Sequence, residues 1–258
     1  TKDDELLGEC ELGMFPATMQ ISETTGLLYV VNFNLHGRML PSSVSIVDPD
    51  GMVEVGRTST GPMPHGSRLS ADGLKHYSCA MMSGHLFEID GANFDVLRDL
   101  QLDIEPPEGH ASEAKPTWVT PHPTKPKVYC ALNGKAAICE VDLKTWELSR
   151  RFETAKGPYN LDITSDGKIL VATYKTAGAI GLWDVEKGKE LARLPSTRSV
   201  THGVVISPDN RYAFVSSEGK GAEPGVVDIV DLKTKKIVTH VDVGLQAGGL
   251  AFWKIDRG

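Results

Sequence analysis

The sequence predicts an all-β protein of the β-propeller class. Short runs of apolar and β-branched residues, separated by turn-forming residues, follow one another along the 258-residue chain. No window keeps apolar residues at helical spacing over three turns. The same order of four runs recurs at intervals of about 40–50 residues, which is the pattern of four-stranded propeller blades.

The repeat is clearest at residues 201–231, where two apolar runs flank a Pro-Asp-Asn turn and a third follows a Gly-rich loop. The same first strand and turn occur at 15–26, 63–73, 115–125, 157–167 and 200–210. Third strands end at Asp48, Asp90, Asp142, Asp184 and Asp231, and a turn and a more polar fourth strand come next. These repeats predict five complete blades, at about 15–61, 62–114, 115–156, 157–199 and 200–244.

The two ends of the chain predict a further, partial blade. Residues 5–13 are typical of a fourth strand and 250–254 of a first strand, so residues 1–14 and 245–258 are expected to share one blade. A closed ring leaves no exposed sheet edge. The two middle strands of that blade are missing, which favours either a thin closing blade or a chain shortened at its amino end, as in a fragment of a seven-bladed ring. All blades are assigned to a single domain, 1–258.

Composition and motifs exclude several function classes. The net charge is -7 without a Lys/Arg cluster, which argues against a nucleic-acid partner. No run approaches the ~18 apolar residues of a membrane-spanning helix. The chain has no CxxC, HExxH, Walker loop, dinucleotide fingerprint or nucleophile elbow. A four-residue hairpin loop would place Cys130 opposite Cys139, a two-residue turn would offset them, and buried free thiols are favoured.

The stretches LYVVN (28–32) and ISPDNRYAFVSSEG (206–219), with a recurrent VxxVDxxT/K, resemble the YVTN-type propeller repeats of prokaryotic cell-envelope proteins. The resemblance covers about residues 15–254. It implies a periplasmic or extracellular location, a secretion signal, and a role as a subunit of an envelope complex. Similar in shape are lactone-cleaving propellers and the haem-binding propellers of nitrite reductases, whose site motifs have no counterpart here.

The long connections predict where a site would lie. Segments 33–42, 103–114, 175–178 and 218–224 all follow a second or a fourth strand, so they are expected on one face, around the mouth of the central channel. The residues that open the first strands should point at that mouth. His65 and His202 hold equivalent positions and could bind a transition metal or relay a proton. The alternative is a hydrogen-bonded histidine beside a glycine at a crowded axis.

Further candidates each have a structural alternative. Arg68 and Asp162 are either ligand contacts or an axial salt bridge, and Trp118 and Tyr159 either line the entrance or pack between blades. Glu218 is a ligand contact or a solvated carboxylate. The insertion 103–114 is an acidic lid or a mobile loop; its polar residues are Glu105, Glu108, His110 and Glu113. A scattered set of soft ligands could bind copper or could simply fill the core and the loops, namely His36, Met39, Met63, Met81 and Met82.

The preferred prediction is a non-catalytic binding or scaffold module that contacts a protein, glycan or small molecule on the long-loop face. The alternative is a propeller enzyme, or a metal- or cofactor-binding protein, that uses His65 and His202. No cofactor is assigned beyond the transition metal that these histidines could bind.

Overall fold

A computed structural model describes residues 5–35, 39–107 and 109–254. The chain folds into two compact units, Thr1–Ser112 (unit 1) and Glu113–Gly258 (unit 2). Across the described residues it forms five four-stranded antiparallel sheets, and each sheet follows sequence order from strand to strand. The five complete blades predicted from the repeats are therefore confirmed.

Unit 1 contains two sheets. The first comprises β1 (Pro16–Ile21), β2 (Leu28–Asn32), β3 (Pro41–Asp48) and β4 (Val53–Pro62). The second comprises β5 (Pro64–Leu69), β6 (Lys75–Ala80), β7 (His85–Asp90) and β8 (Val96–Gln101). An apolar cluster that includes Tyr29, Ile46 and Ile89 is buried between them.

Unit 2 contains three sheets. The first comprises β9 (Pro116–Pro121), β10 (Lys127–Leu132), β11 (Ala137–Asp142) and β12 (Glu147–Glu153), with a 3-10 turn at Asn133–Lys135. The second comprises β13 (Pro158–Ile163), β14 (Ile169–Tyr174), β15 (Ala179–Asp184) and β16 (Lys189–Pro195). The third comprises β17 (Thr201–Ile206), β18 (Tyr212–Ser217), β19 (Val226–Asp231) and β20 (Lys236–Asp242). Phe152 stacks on Trp183 of the neighbouring sheet, with ring centroids 5.8 Å apart, because sheets that diverge need large side chains between them.

The repeated turn residues work by side-chain capping. After β17, the hydroxyl of Ser207 accepts the Tyr212 N–H at 2.9 Å and donates to Asp209 at 2.6 Å. After β19, the carboxylate of Asp231 accepts the Thr234 N–H at 2.7 Å, and this bond lowers the pKa of Asp231. Such local bonds satisfy backbone groups that the sheet leaves unpaired. This explains why a capping side chain recurs at these turns from repeat to repeat.

The ends of the chain correct one prediction. Among the described residues, 5–15 and 243–254 contain no strand, so the predicted strands at 5–13 and 250–254 do not form. Leu6 and Leu7 are 75% and 74% exposed. A strand is stable only when neighbouring strands pair its backbone and bury one face, and the sequence supplies no middle strands for this blade.

Candidate functional site

Hydrogen bonds hold the first strands of unit 2 side by side. The Thr117 hydroxyl of β9 donates to the Tyr159 carbonyl of β13 at 2.9 Å. The Thr173 hydroxyl of β14 donates to the His202 carbonyl of β17 at 2.7 Å. The second bond fixes the sheet of β13 to the sheet of β17, so the side chains of Tyr159 and His202, near the starts of these equivalent strands, lie next to each other.

Four side chains meet at this point and are called the His202 cluster: Tyr159, Lys175, His202 and Glu218. The rings of Tyr159 and His202 have centroids 4.6 Å apart. Lys175 Nζ lies 4.5 Å above the Tyr159 ring and 2.7 Å from Glu218 Oε1. Glu218 Oε1 is also 3.5 Å from His202 Nε2. The cluster therefore combines an ion pair, a cation–π contact and an imidazole in one place.

Burial keeps His202 neutral. Its side chain is 19% exposed. Burial, reinforced by the positive charge of Lys175, lowers the pKa of His202 to about 4. Its Nδ1 atom is buried and has no hydrogen-bond partner among the described residues. A neutral ring with one nitrogen beside a carboxylate carries its proton on Nε2, which leaves a lone pair on Nδ1.

Tyr159 keeps its proton, and the Lys175–Glu218 ion pair is partly exposed. Burial, and then the charge of Glu218, raises the pKa of Tyr159 to about 12, so its hydroxyl stays protonated. The side chains of Lys175 and Glu218 are 30% and 24% exposed, so part of the ion pair is open to solvent. A polar ligand can therefore contact the exposed parts of the lysine ammonium or the glutamate carboxylate.

Tyr159, His202 and Glu218 were predicted from the sequence as site residues. Lys175 was not, because it was assigned only to the connection at 175–178. The missed signal was the repeat register. Lys175 follows β14 directly and Glu218 follows β18 directly, so the two residues occupy equivalent positions in neighbouring repeats. Tyr159 and His202 are related in the same way, and adjacent blades therefore bring both pairs together.

Trp118 and Asp162, also in unit 2, lie outside the cluster. Trp118 is 6% exposed and belongs to the apolar core between the sheets, so little of its surface is open to a ligand. The Asp162 carboxylate accepts the Ile206 N–H of β17 at 2.7 Å, which ties β13 to the next sheet. Their predicted roles in ligand binding stay predictions.

His65 and Arg68 lie on β5 in unit 1. His65 is 8% exposed and meets the Phe33 ring edge-on, with centroids 4.8 Å apart. Arg68 donates to the Ser67 carbonyl at 2.8 Å. Its charge adds to the effect of complete burial on His76, whose pKa falls to about 3. The joint site of His65 with His202 stays a prediction.

The long connections of unit 1 surround a cavity of about 240 Å³. Met39 comes from the β2–β3 connection, Met82 from the β6–β7 turn, and Glu105 and His110 from the insertion between β8 and β9. Connections after second and fourth strands therefore meet at one end of unit 1, while their predicted place around the mouth of a central channel stays a prediction. Glu113 is exposed and pairs with Lys135 at 2.6 Å, while His36 and Glu108 lie outside the described residues.

Metal ligands and thiols are sparse in the part of the chain that the structure describes. It contains no group of three or more His, Cys, Asp or Glu residues placed to hold a metal ion. Cys130 and Cys139 are opposite each other in the β10–β11 register, and both are buried and form no disulfide bond. In the same described ranges, no helix has the length and apolar character needed to cross a bilayer.

Comparisons with known proteins bear on this geometry. The family model of the cytochrome D1 heme domain matches residues 164–257, a segment that contains Lys175, His202 and Glu218. A search of curated proteins finds no match. Among solved structures, Kuenenia stuttgartiensis hydrazine synthase is similar, with a TM-score of 0.74 and 21% sequence identity over 94% of this chain and 69% of that chain. These likenesses, with the five sheets, show that the chain has a β-propeller fold.

Proposed function

We propose that this propeller is a non-catalytic binding module, and that a small-molecule ligand contacts the His202 cluster. The observation that carries the proposal is the convergence of Tyr159, Lys175, His202 and Glu218, with the ion pair partly open to solvent. Two aromatic faces and a cation suit a ligand that has a flat ring and an anionic group. The residues come from the connections after β14 and β18 and from the starts of β13 and β17, which together form a rigid frame.

The electrostatics of the cluster favour binding over catalysis. A general acid or base works best with a pKa near the operating pH. His202 has a pKa of about 4 and Tyr159 a pKa of about 12, so neither changes protonation near pH 7. The Lys175–Glu218 pair is already formed without a ligand. The cluster is therefore suited to recognition by charge and shape.

The location and the partner belong to the same proposal. The resemblance to YVTN-type repeats supports a periplasmic or extracellular location, where such a module would serve as part of an envelope complex. A net charge of -7 without a basic cluster supports a partner other than nucleic acid.

A second candidate function is the binding of a tetrapyrrole cofactor, which the match to the cytochrome D1 heme domain over residues 164–257 favours. The donor type fits, because a neutral imidazole can bind iron, but the Nδ1 atom that would do so is buried and would have to become accessible. His202 is neutral, its Nδ1 has no partner among the described residues, and Glu218 lies beside Nε2 as carboxylates do beside metal-bound histidines. His202 would hold the iron through Nδ1, Glu218 would orient the imidazole ring, and Lys175 would pair with a carboxylate of the macrocycle. A bound haem iron would supply redox chemistry or bind a diatomic ligand.

Thermal unfolding with hemin, which has a flat ring and carboxylates, tests the proposal. At 100 times its Kd a ligand stabilises the folded state by about 2.7 kcal/mol. That corresponds to a rise in Tm of roughly 5–10 °C for a chain of this size. We expect hemin to raise the Tm and His202→Ala or Glu218→Gln to abolish the rise. The matched control is His240→Ala, at an exposed position on β20.

The outcomes separate the two candidates. A rise in Tm that persists in His202→Ala, or no rise with hemin, would contradict binding at the cluster. A Soret shift of hemin that His202→Ala removes and His240→Ala keeps would support iron binding by His202. Stabilisation without a Soret shift would support the non-covalent binding module alone.

A further inference from the structure

We propose that Gly248 determines which ligands the His202 cluster accepts, because it leaves room beside the imidazole of His202 for a flat conjugated ring. The ring of the ligand would pack on His202 in the place that a side chain at position 248 would fill. This inference rests on the function proposed for the cluster, and it names the part of the cluster that contacts the ring.

Residues 246–252 take the position of the next first strand, although they form no strand themselves. The Thr173 hydroxyl of β14 donates to the His202 carbonyl at 2.7 Å. One repeat later, the Ser216 hydroxyl of β18 donates in the same way to the Gly248 carbonyl. Gly248 therefore has the place in its repeat that His202 has at the start of β17.

Tyr159 and Gly248 approach His202 from the two sides of its sheet. Alternate apolar side chains of β17 and β18 pack against the preceding sheet, which carries Tyr159. The residues between them point the other way, and one of these, Phe214, meets the Phe252 ring with centroids 6.4 Å apart. The segment that contains Gly248 therefore lies on the side of β17 that faces away from Tyr159.

A side chain at position 248 would lie against His202. A Cβ added to Gly248 would be 3.9 Å from His202 Cε1, which is ordinary van der Waals contact. The φ angle of Gly248 lies outside the left-handed region, so the backbone does not require a glycine there. Gly203 differs, because its Cβ would lie 2.7 Å from the Gly248 carbonyl oxygen. Packing therefore explains the glycine at 203, whereas the glycine at 248 keeps the space beside the imidazole open.

The imidazole of His202 suits contact with a ring. It is neutral near pH 7, and its side chain is partly exposed. The Tyr159 ring already packs against it, with centroids 4.6 Å apart, a separation at which aromatic rings attract one another. A flat ring on the Gly248 side would make a row of three rings. Glu218, which lies beside His202 Nε2, could then contact a polar group at the edge of that ring.

Two substitutions that add the same ring at neighbouring positions test the inference. Gly248→Phe would fill the space beside His202, whereas a Cβ at Gly249 meets no atom of the described residues within 4 Å, so Gly249→Phe is the matched control. We expect Gly248→Phe to weaken the binding of hemin to the full chain by about tenfold or more, because the two rings compete for one place. Gly249→Phe and Gly248→Ala should bind hemin as the wild type does, and circular dichroism checks that all three variants fold.

A measurement without ligand separates this inference from the proposed function. The ring of Gly248→Phe should shift the NMR resonance of the His202 Hε1 proton, because Cε1 is the atom of His202 nearest to the added side chain. Gly249→Phe should leave that resonance unchanged.

Three results would overturn the inference while the proposed function stands. In a wild type that binds hemin, these are wild-type affinity in Gly248→Phe, equal losses of affinity in the two phenylalanine variants, or an unshifted Hε1 resonance in Gly248→Phe. Failure of the wild type to bind hemin would overturn the proposed function, and the place of the ligand with it, whatever the resonance shows.

Discussion

The buried carboxylate of Glu140 should stabilise unit 2 by about 3 kcal/mol at neutral pH. Glu140 is fully buried on β11 and accepts hydrogen bonds from Lys127 at 2.7 Å, Ser149 at 2.8 Å and Arg150 at 3.0 Å. Burial alone would raise its pKa, but these hydrogen bonds outweigh burial and lower the pKa to about 2. The difference from the ordinary value of 4.5 corresponds to about 3 kcal/mol, at about 1.4 kcal/mol per pKa unit.

The sign of the pH dependence follows from the lowered pKa. The folded state holds the charged carboxylate more tightly than the unfolded chain does, so the stabilisation is complete above pH 4.5 and is lost as the pH falls towards 2. Glu140→Gln should therefore lower the free energy of unfolding by about 3 kcal/mol at pH 7 and by only about 1 kcal/mol at pH 3. Urea unfolding at both pH values measures this difference.

The matched control is Glu153→Gln on the neighbouring strand β12. Glu153 is 77% exposed and pairs with Arg151 at 3.1 Å, so its replacement should change stability by less than about 0.5 kcal/mol. The reasoning is refuted if Glu140→Gln costs less than about 1 kcal/mol at pH 7, or if its cost is the same at pH 7 and pH 3.

Three further predictions concern His202, His76 and Gly134. NMR titration should give His202 a pKa of about 4, and a value near 6.5 would show that the ring is solvated. Because the folded state lowers this pKa, the stability of the fold should decrease as the pH falls from 6.5 towards 4. His76 is fully buried with both ring nitrogens unpartnered among the described residues, so His76→Leu should change the free energy of unfolding at pH 7 by less than about 1 kcal/mol, and a loss above about 2 kcal/mol in chemical denaturation would contradict this. Gly134→Ala would place a Cβ 1.9 Å from the Glu113 carbonyl oxygen, so the Tm should fall by an amount equivalent to about 2–3 kcal/mol. Gly244→Ala is the control, because Gly244 has open space around it and its Tm should stay unchanged. Equal effects of the two substitutions would refute the steric argument.

The strands and turns could be predicted from the sequence because each is encoded locally. Alternating apolar runs define the strands, and capping residues such as Ser207 and Asp231 define the turns. The partial blade could not be predicted in this way. The runs at 5–13 and 250–254 resemble strands, but strand formation depends on neighbours that the sequence does not supply there.

The site was harder to predict because it depends on contacts between repeats. Tyr159, His202 and Glu218 could be chosen from their place at strand ends, but the ion pair of Glu218 with Lys175 appears only when neighbouring repeats are superimposed. Trp118 shows the opposite case. Trp118 follows Thr117, a residue that begins a first strand, and this position indicates a place at the channel entrance. In the structure, Trp118 belongs to the buried core cluster that also contains Leu161 and Tyr129.

Hydrogen–deuterium exchange with and without the probe that raises the Tm tests the central claim most directly, because it locates the ligand without relying on a substitution. Binding at the His202 cluster predicts slower exchange in residues 157–160, 174–178, 199–203 and 216–220. Protection confined to the opposite turns of unit 2, at 122–126 and 165–168, or to unit 1, would contradict the assignment of the site.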